Sequence, residues 1–297
     1  MGPAADELES PTPDAVGRLL DTLELQGGAA RTTEDIFVGR SEPMPHGRVF
    51  GGQVLGQAVV AAGRTVDEDR VVHSMHGYFL RPGDASQDIT FAVDRIHDGR
   101  SFSARRTQAF QDGVPIFSMI ASFQNEGAGF EHAAPMPPDV PGPDDVAPDE
   151  NASAPGNPFS RAMRDARPVE IRHVLPELYA DPDPRPRPEN AAWIRARRRF
   201  PDDPALHRAA IAYISDITIQ ESILRAHGVA WSSPGLKLAS LDSVVWWHRA
   251  ARVDEWMLYV QESPSAGGGR GLATGRLYTP DGTLIASVAQ EVVVRMP

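Results

Sequence analysis

The stretch Pro204 to Ala226, PALHRAAIAYISDITIQESILRA, decides the fold. Its apolar residues (Leu206, Ala209, Ala210, Ile211, Ala212, Tyr213, Ile214, Ile217, Ile219, Ile223, Leu224) run around most of a helical circumference. A helix without a wide polar face is buried. A sheet curled around one long helix provides that burial. Asp216 stands inside this helix, with Ala212, Tyr213 and Ile219 on the neighbouring turns. An ionised carboxylate in such surroundings is costly unless hydrogen-bonded, and Asp is a poor helix former away from the N-cap. Two readings follow. Asp216 reaches solvent or a nearby N–H at a helix edge, or burial raises its pKa and makes it a proton acceptor.

Downstream, Asp281-Gly282 marks a hairpin and Leu284 to Arg295 reads as the last strand. Upstream, the same order occurs: a helix from Phe50 to Val66, a turn at Asp112-Gly113, and a strand from Ile116 to Gln124. Asp-Gly is a strong hairpin signal. The two turns lie 169 positions apart, a shift that sets Ile116 on Ile285 and Ser118 on Ser287. The chain therefore reads as two copies of one unit, each a helix and a mainly antiparallel sheet, an α+β class. Strand periodicity places Ala286, Val288, Gln290 and Val292 on one face. Gln290 is the polar side chain among them, and the first copy has Ala121 at that position. A buried amide needs partners. Gln290 either ties down a loop or belongs to a site built in one repeat only. The first helix opens Gly51-Gly52-Gln53 and contains Gly56. These glycines serve close packing, or a groove in which a ligand approaches the helix N-terminus.

The expected organisation is a tail with a short helix (Asp14 to Leu25) over 1–30, a first repeat over 31–124, a Pro-rich acidic linker over 125–160 and a second repeat over 161–297. Hydrophobic residues make up 41% of the 297, enough for a sizeable core. A net charge of −11 argues against nucleic acid, whose phosphates need a basic face. Local arginines can still bind phosphate. With no cysteine, thiol nucleophiles, disulfides and Cys-based metal sites are excluded. Asp6, Glu7 and Glu9 stand where a signal peptide needs basic and then apolar residues. No apolar run approaches the roughly 20 residues that span a bilayer, so no membrane insertion is expected. There is no Gly-x-Ser-x-Gly elbow, no Walker A pattern and no His-Glu-x-x-His. The histidines lack metal-ligand spacing. His73 and His76 are an odd number of positions apart, so a regular strand turns them to opposite faces, and at most one lines a pocket. Ser240 opens an expected strand from Ser240 to His248, with nothing around it that activates a nucleophile. The strand Arg100 to Arg106 is a solvated face or a set of cations for phosphate.

Several long runs resemble the acyl-CoA thioesterase II family. They are Val49-Phe50-Gly51-Gly52-Gln53-Val54-Leu55-Gly56-Gln57-Ala58, His73 to Asp84, and Asp98 to Arg106. Pro115-Ile116-Phe117, Ala121 to Gln124, Ser215-Asp216, Trp247-His248-Arg249 and Ala289-Gln290-Glu291 continue the likeness. The resemblance implies a double hot-dog fold and hydrolysis of fatty-acyl-CoA without a cofactor or metal. It implies Asp216, Ser240 and Gln290 as the catalytic set around one water. Gly51, Gly52, His73, Arg100 and Arg105 are candidate substrate contacts, the glycines toward an oxyanion and the arginines toward the CoA phosphates. The family also suggests a homo-dimer or homo-tetramer. The expected location is cytoplasmic, since Val294-Arg295-Met296-Pro297 is no peroxisomal address. Two alternatives stand beside it: a non-catalytic acyl-CoA-binding module, and a hot-dog enoyl-CoA hydratase or dehydratase, which needs a catalytic His or acid pair near the helix.

Overall fold

A computed structural model describes residues 14–27, 34–44, 47–148 and 167–296. Asp14 caps α1 (Ala15–Leu23) by accepting from the Gly17 N–H at 2.8 Å, and Val16, Leu19 and Leu23 turn into the core. The first repeat contains β1 (Gln26–Gly27), β2 (Asp35–Gly39), α2 (Gly51–Gly63), β3 (Arg70–Phe79), β4 (Ile89–Asp98), β5 (Phe102–Gln111) and β6 (Val114–Asn125). The second contains β7 (Val169–His173), β8 (Glu189–Ala196), α3 (Pro204–Ser215), α4 (Glu221–Ala226), β9 (Lys237–Ser240), β10 (Asp242–Trp247), β11 (Met257–Gly267), β12 (Arg270–Tyr278) and β13 (Leu284–Arg295).

Among the described residues, the strands form one 13-stranded sheet in the order β1-β2-β4-β5-β6-β3-β10-β13-β12-β11-β8-β7, with β9 added to β13. The halves join where β3 pairs antiparallel with β10, His76 opposite Val244. α2 and α3 lie against each other on the inner face, where residues of both repeats make one apolar core. Each repeat is thus a helix wrapped by an antiparallel sheet, a double hot-dog. At the first hairpin, Asp112 and Gly113 both adopt positive φ, 48° and 74°, as a tight two-residue turn requires. Glycines also let the two helices touch. A Cβ on Gly52 would stand 2.3 Å from the Tyr213 carbonyl oxygen, and one on Gly56 3.2 Å from that of Ala209.

Three sequence expectations are corrected. The helix expected from Pro204 to Ala226 is two helices. Ser215 turns its hydroxyl back to the Ala212 carbonyl, and Ile217 bonds only three residues back, to Ile214. The β-branched run Ile217-Thr218-Ile219 follows, and such residues lose side-chain freedom in a helix. Asp216 is therefore the C-cap of α3 rather than an interior residue. The strand expected from Ser240 to His248 is broken at Leu241, whose N–H goes to Glu291 of β13 and whose carbonyl accepts from Phe79 of β3. The parity argument for His73 and His76 fails because β3 bulges between Val72 and Ser74 against β6. The extra residue turns the His73 imidazole to Ser122, on the same parity as exposed Ile120.

Residues 127–148 carry no strand or α-helix, and the part from Pro135 to Val146 lies against the second repeat. Trp193 donates its indole N–H to the Pro141 carbonyl at 2.8 Å, and Tyr278 its hydroxyl to that of Pro135 at 3.1 Å. Met136 and Val140 pack there on the cluster of Trp193, Leu258, Tyr278 and Leu284. Residues 149–160 of the expected linker and residues 1–13 lie outside the described residues. Among the described residues, no helix is long and apolar enough to cross a membrane.

Candidate active site

The break after α3 aims Asp216 at the start of α2. The Gly52 N–H donates to Asp216 Oδ2 at 2.9 Å. Gly51 leaves room for this approach, since a Cβ there would stand 2.6 Å from the same oxygen. On the other side, Gln290 of β13 donates Nε2–H to Asp216 Oδ1 at 2.6 Å and to Ser240 Oγ at 3.1 Å. Ser240, paired opposite Val292 at the end of β9, stands 3.5 Å from Asp216 Oδ1. Asp216, Ser240 and Gln290 thus meet at one point, drawn from a helix end and two strands.

Burial pushes the Asp216 carboxyl up from its ordinary value to about 6, against the opposing pull of the Gln290, Gly52 and Ser240 hydrogen bonds. Desolvation of the fully buried carboxyl outweighs those bonds, and no cation is among the causes of the shift. A carboxylate of that pKa is a competent general base near neutral pH. The Tyr259 hydroxyl donates to the Ser215 carbonyl at 2.8 Å and closes the site from beneath.

A cavity of about 780 Å³ opens onto this cluster. Asp216, Ser240 and Gly51 are in its wall, whereas Gln290 is not. Gln290 stands behind the other two, 1% exposed. One side of the cavity is apolar, with Val54, Phe79, Ile116 and Phe117, and its rim includes the exposed Arg48 and Arg81.

The other sequence candidates lie elsewhere. His73 is bonded to Ser122 and meets Phe102 edge-on. Arg100 is exposed in the β4–β5 turn. Arg105 is 1% exposed, with its guanidinium spent on Thr65, Asp98 and backbone carbonyls. None of the three is in the cavity wall. Sequence reasoning missed Gln220, which lines the cavity and donates Nε2–H to Ser240 Oγ at 3.0 Å. Its signal was the cluster of poor helix formers Ser215 to Ile219, which frees the next residue from the helix.

Among the described residues, no group of three or more His, Cys, Asp or Glu stands together as a metal site.

Comparison with known proteins agrees with this architecture. Residues 40–124 match the acyl-CoA thioesterase N-terminal domain and residues 137–294 the C-terminal domain. The chain is 39% identical to human acyl-coenzyme A thioesterase 8, over 89% of this chain and 85% of that one. It is 35% identical to acyl-CoA thioesterase 2 of Haemophilus influenzae, over 95% and 98%. Among solved structures, the acyl-CoA thioesterase II TesB2 of Mycobacterium marinum superposes with TM-score 0.76 at 42% identity, covering 94% of this chain and 98% of that one. A hot-dog protein from Alicyclobacillus acidocaldarius reaches TM-score 0.76 at 18% identity, over 94% and 98%, a likeness of fold alone. With both domain models matched in order along one chain, this protein belongs to the acyl-CoA thioesterase family.

Proposed function

We propose that the protein hydrolyses fatty-acyl-CoA to free fatty acid and CoA, with one water held by Asp216 and Ser240 as the nucleophile. The observation that carries this reading is the buried, raised-pKa Asp216 beside the Ser240 hydroxyl at the wall of an apolar cavity. The water donates one hydrogen bond to Asp216 and accepts one from Ser240, which leaves a lone pair for the thioester carbonyl. Its oxygen forms the C–O bond while a proton passes to Asp216. The tetrahedral intermediate collapses with cleavage of C–S, and the CoA thiolate takes the proton back from Asp216. Gln290 touches neither water nor substrate; it clamps the two groups that do. Such positioning converts a bimolecular encounter into an oriented one.

The Gly52 N–H is committed to Asp216, so the oxyanion falls to the neighbouring Gly51 N–H at the positive end of α2. The acyl chain lies along Val54, Phe79 and Phe117. Arg48 and Arg81 at the rim replace Arg100 and Arg105 as the cations for the CoA phosphates. Incubation with a panel of straight-chain acyl-CoAs and a thiol-reactive dye tests the reaction. Release of free thiol with multiple turnovers is expected. Binding without thiol release would make the protein a sensor, and hydration of an enoyl-CoA without thiol release would make it a hydratase.

A further inference from the structure

The serine at this site has more partners than the proposed chemistry uses. Ser240 Oγ accepts from Gln290 at 3.1 Å and from Gln220 at 3.0 Å. A hydroxyl oxygen has two acceptor lone pairs and one proton. Both lone pairs are filled by amides, so the Ser240 proton must point away from them, toward Asp216 and the cavity. The Gln290 amide cannot be reversed without setting its oxygen against the Asp216 carboxylate at 2.6 Å. Gln220 therefore decides the polarity of the serine. With it in place, the Ser240 proton points to the side where Asp216 Oδ1 stands 3.5 Å away, and an incoming water takes over that donor. Without it, the hydroxyl is free to accept from the water instead and to tie up a proton that belongs on Asp216.

Gln220 is itself held firmly. It caps α4 with its carbonyl, which accepts from Ile223 and Leu224, and it is 9% exposed. The next residue, Glu221, is fully buried in a polar cage. Its carboxylate accepts from Asn190 Nδ2 at 3.2 Å and from Trp231 Nε1 at 3.4 Å, and His173 Nε2 stands 2.9 Å away. The Gln261 amide oxygen accepts from Asn190 at 2.9 Å, and Arg225, also in the cage, ion-pairs with buried Asp183. A cage of this kind fixes the turn after α3 and leaves Gln220 little freedom to swing out of the cavity wall.

We infer that Gln220 is a positioning residue of this reaction, fixing the Ser240 hydroxyl as a donor to the attacking water. The inference rests on the water-attack reading of the same site. Gln220→Met keeps the length of the side chain and removes the donor, and Gln220→Glu replaces it with an acceptor. Gln220→Met is expected to lower kcat about fivefold, the worth of one lost hydrogen bond, with KM within about twofold. In a Ser240→Ala background the same change is expected to have no further effect on kcat, because the effect travels through the serine. Gln220→Glu is expected to lower kcat further and to move the acid limb of the pH profile upward, since a new carboxylate stands near Asp216. The charge would come from α4, while the groups on the other elements around Asp216 (Gln290, Ser240, Gly52 N–H and Tyr259) are neutral.

Wild-type kcat in Gln220→Met, or an equal loss with and without Ser240, would overturn the inference. If Gln220→Met does not fold, Gln220→Glu carries the test, and a kcat loss as large in the Ser240→Ala background as in the wild type overturns the inference. Asp216→Asn separates the two levels. Retained turnover in that variant removes the reading beneath, whereas a dead Asp216→Asn beside neutral Gln220 variants removes only this inference.

Discussion

Gly52 and Asp216 belong to different repeats and hold each other in place: the backbone N–H of one donates to the carboxylate of the other at 2.9 Å. The contact exists because Gly52 has no side chain; a Cβ would stand 2.3 Å from the Tyr213 carbonyl, a backbone atom that cannot swing aside. Gly52→Ala should therefore push α2 from α3. The expected cost is about 1–3 kcal/mol of stability, typical of overpacking, with a fall in kcat beyond what partial unfolding explains. Urea denaturation and kcat on the folded fraction check it.

Asp216 makes activity and stability run in opposite directions with pH. Its carboxyl titrates at about 6 in the fold, above its ordinary value near 3.8. The base is competent only when ionised, so kcat/KM should rise with pH through about 6 and level off above it. The folded state holds the proton more tightly than the unfolded chain. Its contribution to stability is therefore full below about 4 and lost as pH rises through about 6, amounting to about 3 kcal/mol. Denaturation midpoints measured from pH 4 to 8, corrected with Asp216→Asn, should show this decline in the wild type and not in the variant.

Gln290 lowers the Asp216 pKa by hydrogen-bonding its charged form. Gln290→Leu removes that bond and also frees Ser240. The expected result is a kcat loss of about tenfold or more, as for a hydrogen bond to a charged group, together with an upward shift of the acid limb. A pH–rate profile distinguishes this from simple packing damage, which would lower kcat without moving the limb.

Arg105 is a structural cation. It is bonded to Thr65 and Asp98 from within the core of the first repeat. Arg105→Met leaves the buried Thr65 acceptors unpaired, whereas the half-exposed Asp98 turns to solvent, and should cost about 1–3 kcal/mol. KM for acyl-CoA should stay near the wild-type value in the fraction that folds. A KM increase with unchanged stability would restore Arg105 as a phosphate contact.

Much of this was legible in the sequence because it depends on periodicity. The apolar circumference of Ala209 to Ile214, the inward parity of Gln290 among Ala286, Val288 and Val292, and the Asp112-Gly113 turn all read correctly, and the last strand runs over the residues expected. What failed depends on departures from periodicity. A continuous helix through Asp216 hid the C-cap that aims the carboxylate, and with it Gln220. A bulge at His73 shifted parity in β3. Arg105 could have been read better, because period 2 puts it on the same face as Thr107 and Ala109, both buried. Its charge outweighed that parity in the sequence reading. The meeting of Gly52 with Asp216 crosses 164 residues and follows from the pairing of β3 with β10, which local pattern does not specify.

The central claim is that the Asp216 carboxylate accepts a proton from water at the thioester. Its most direct measurement is the rate of thiol release by Asp216→Asn at a pH well above 6, with circular dichroism to confirm the fold. A loss of roughly 10²–10⁴ in kcat is predicted, the usual worth of a general base. Turnover within a few-fold of the wild type, in a variant that folds normally, would contradict it.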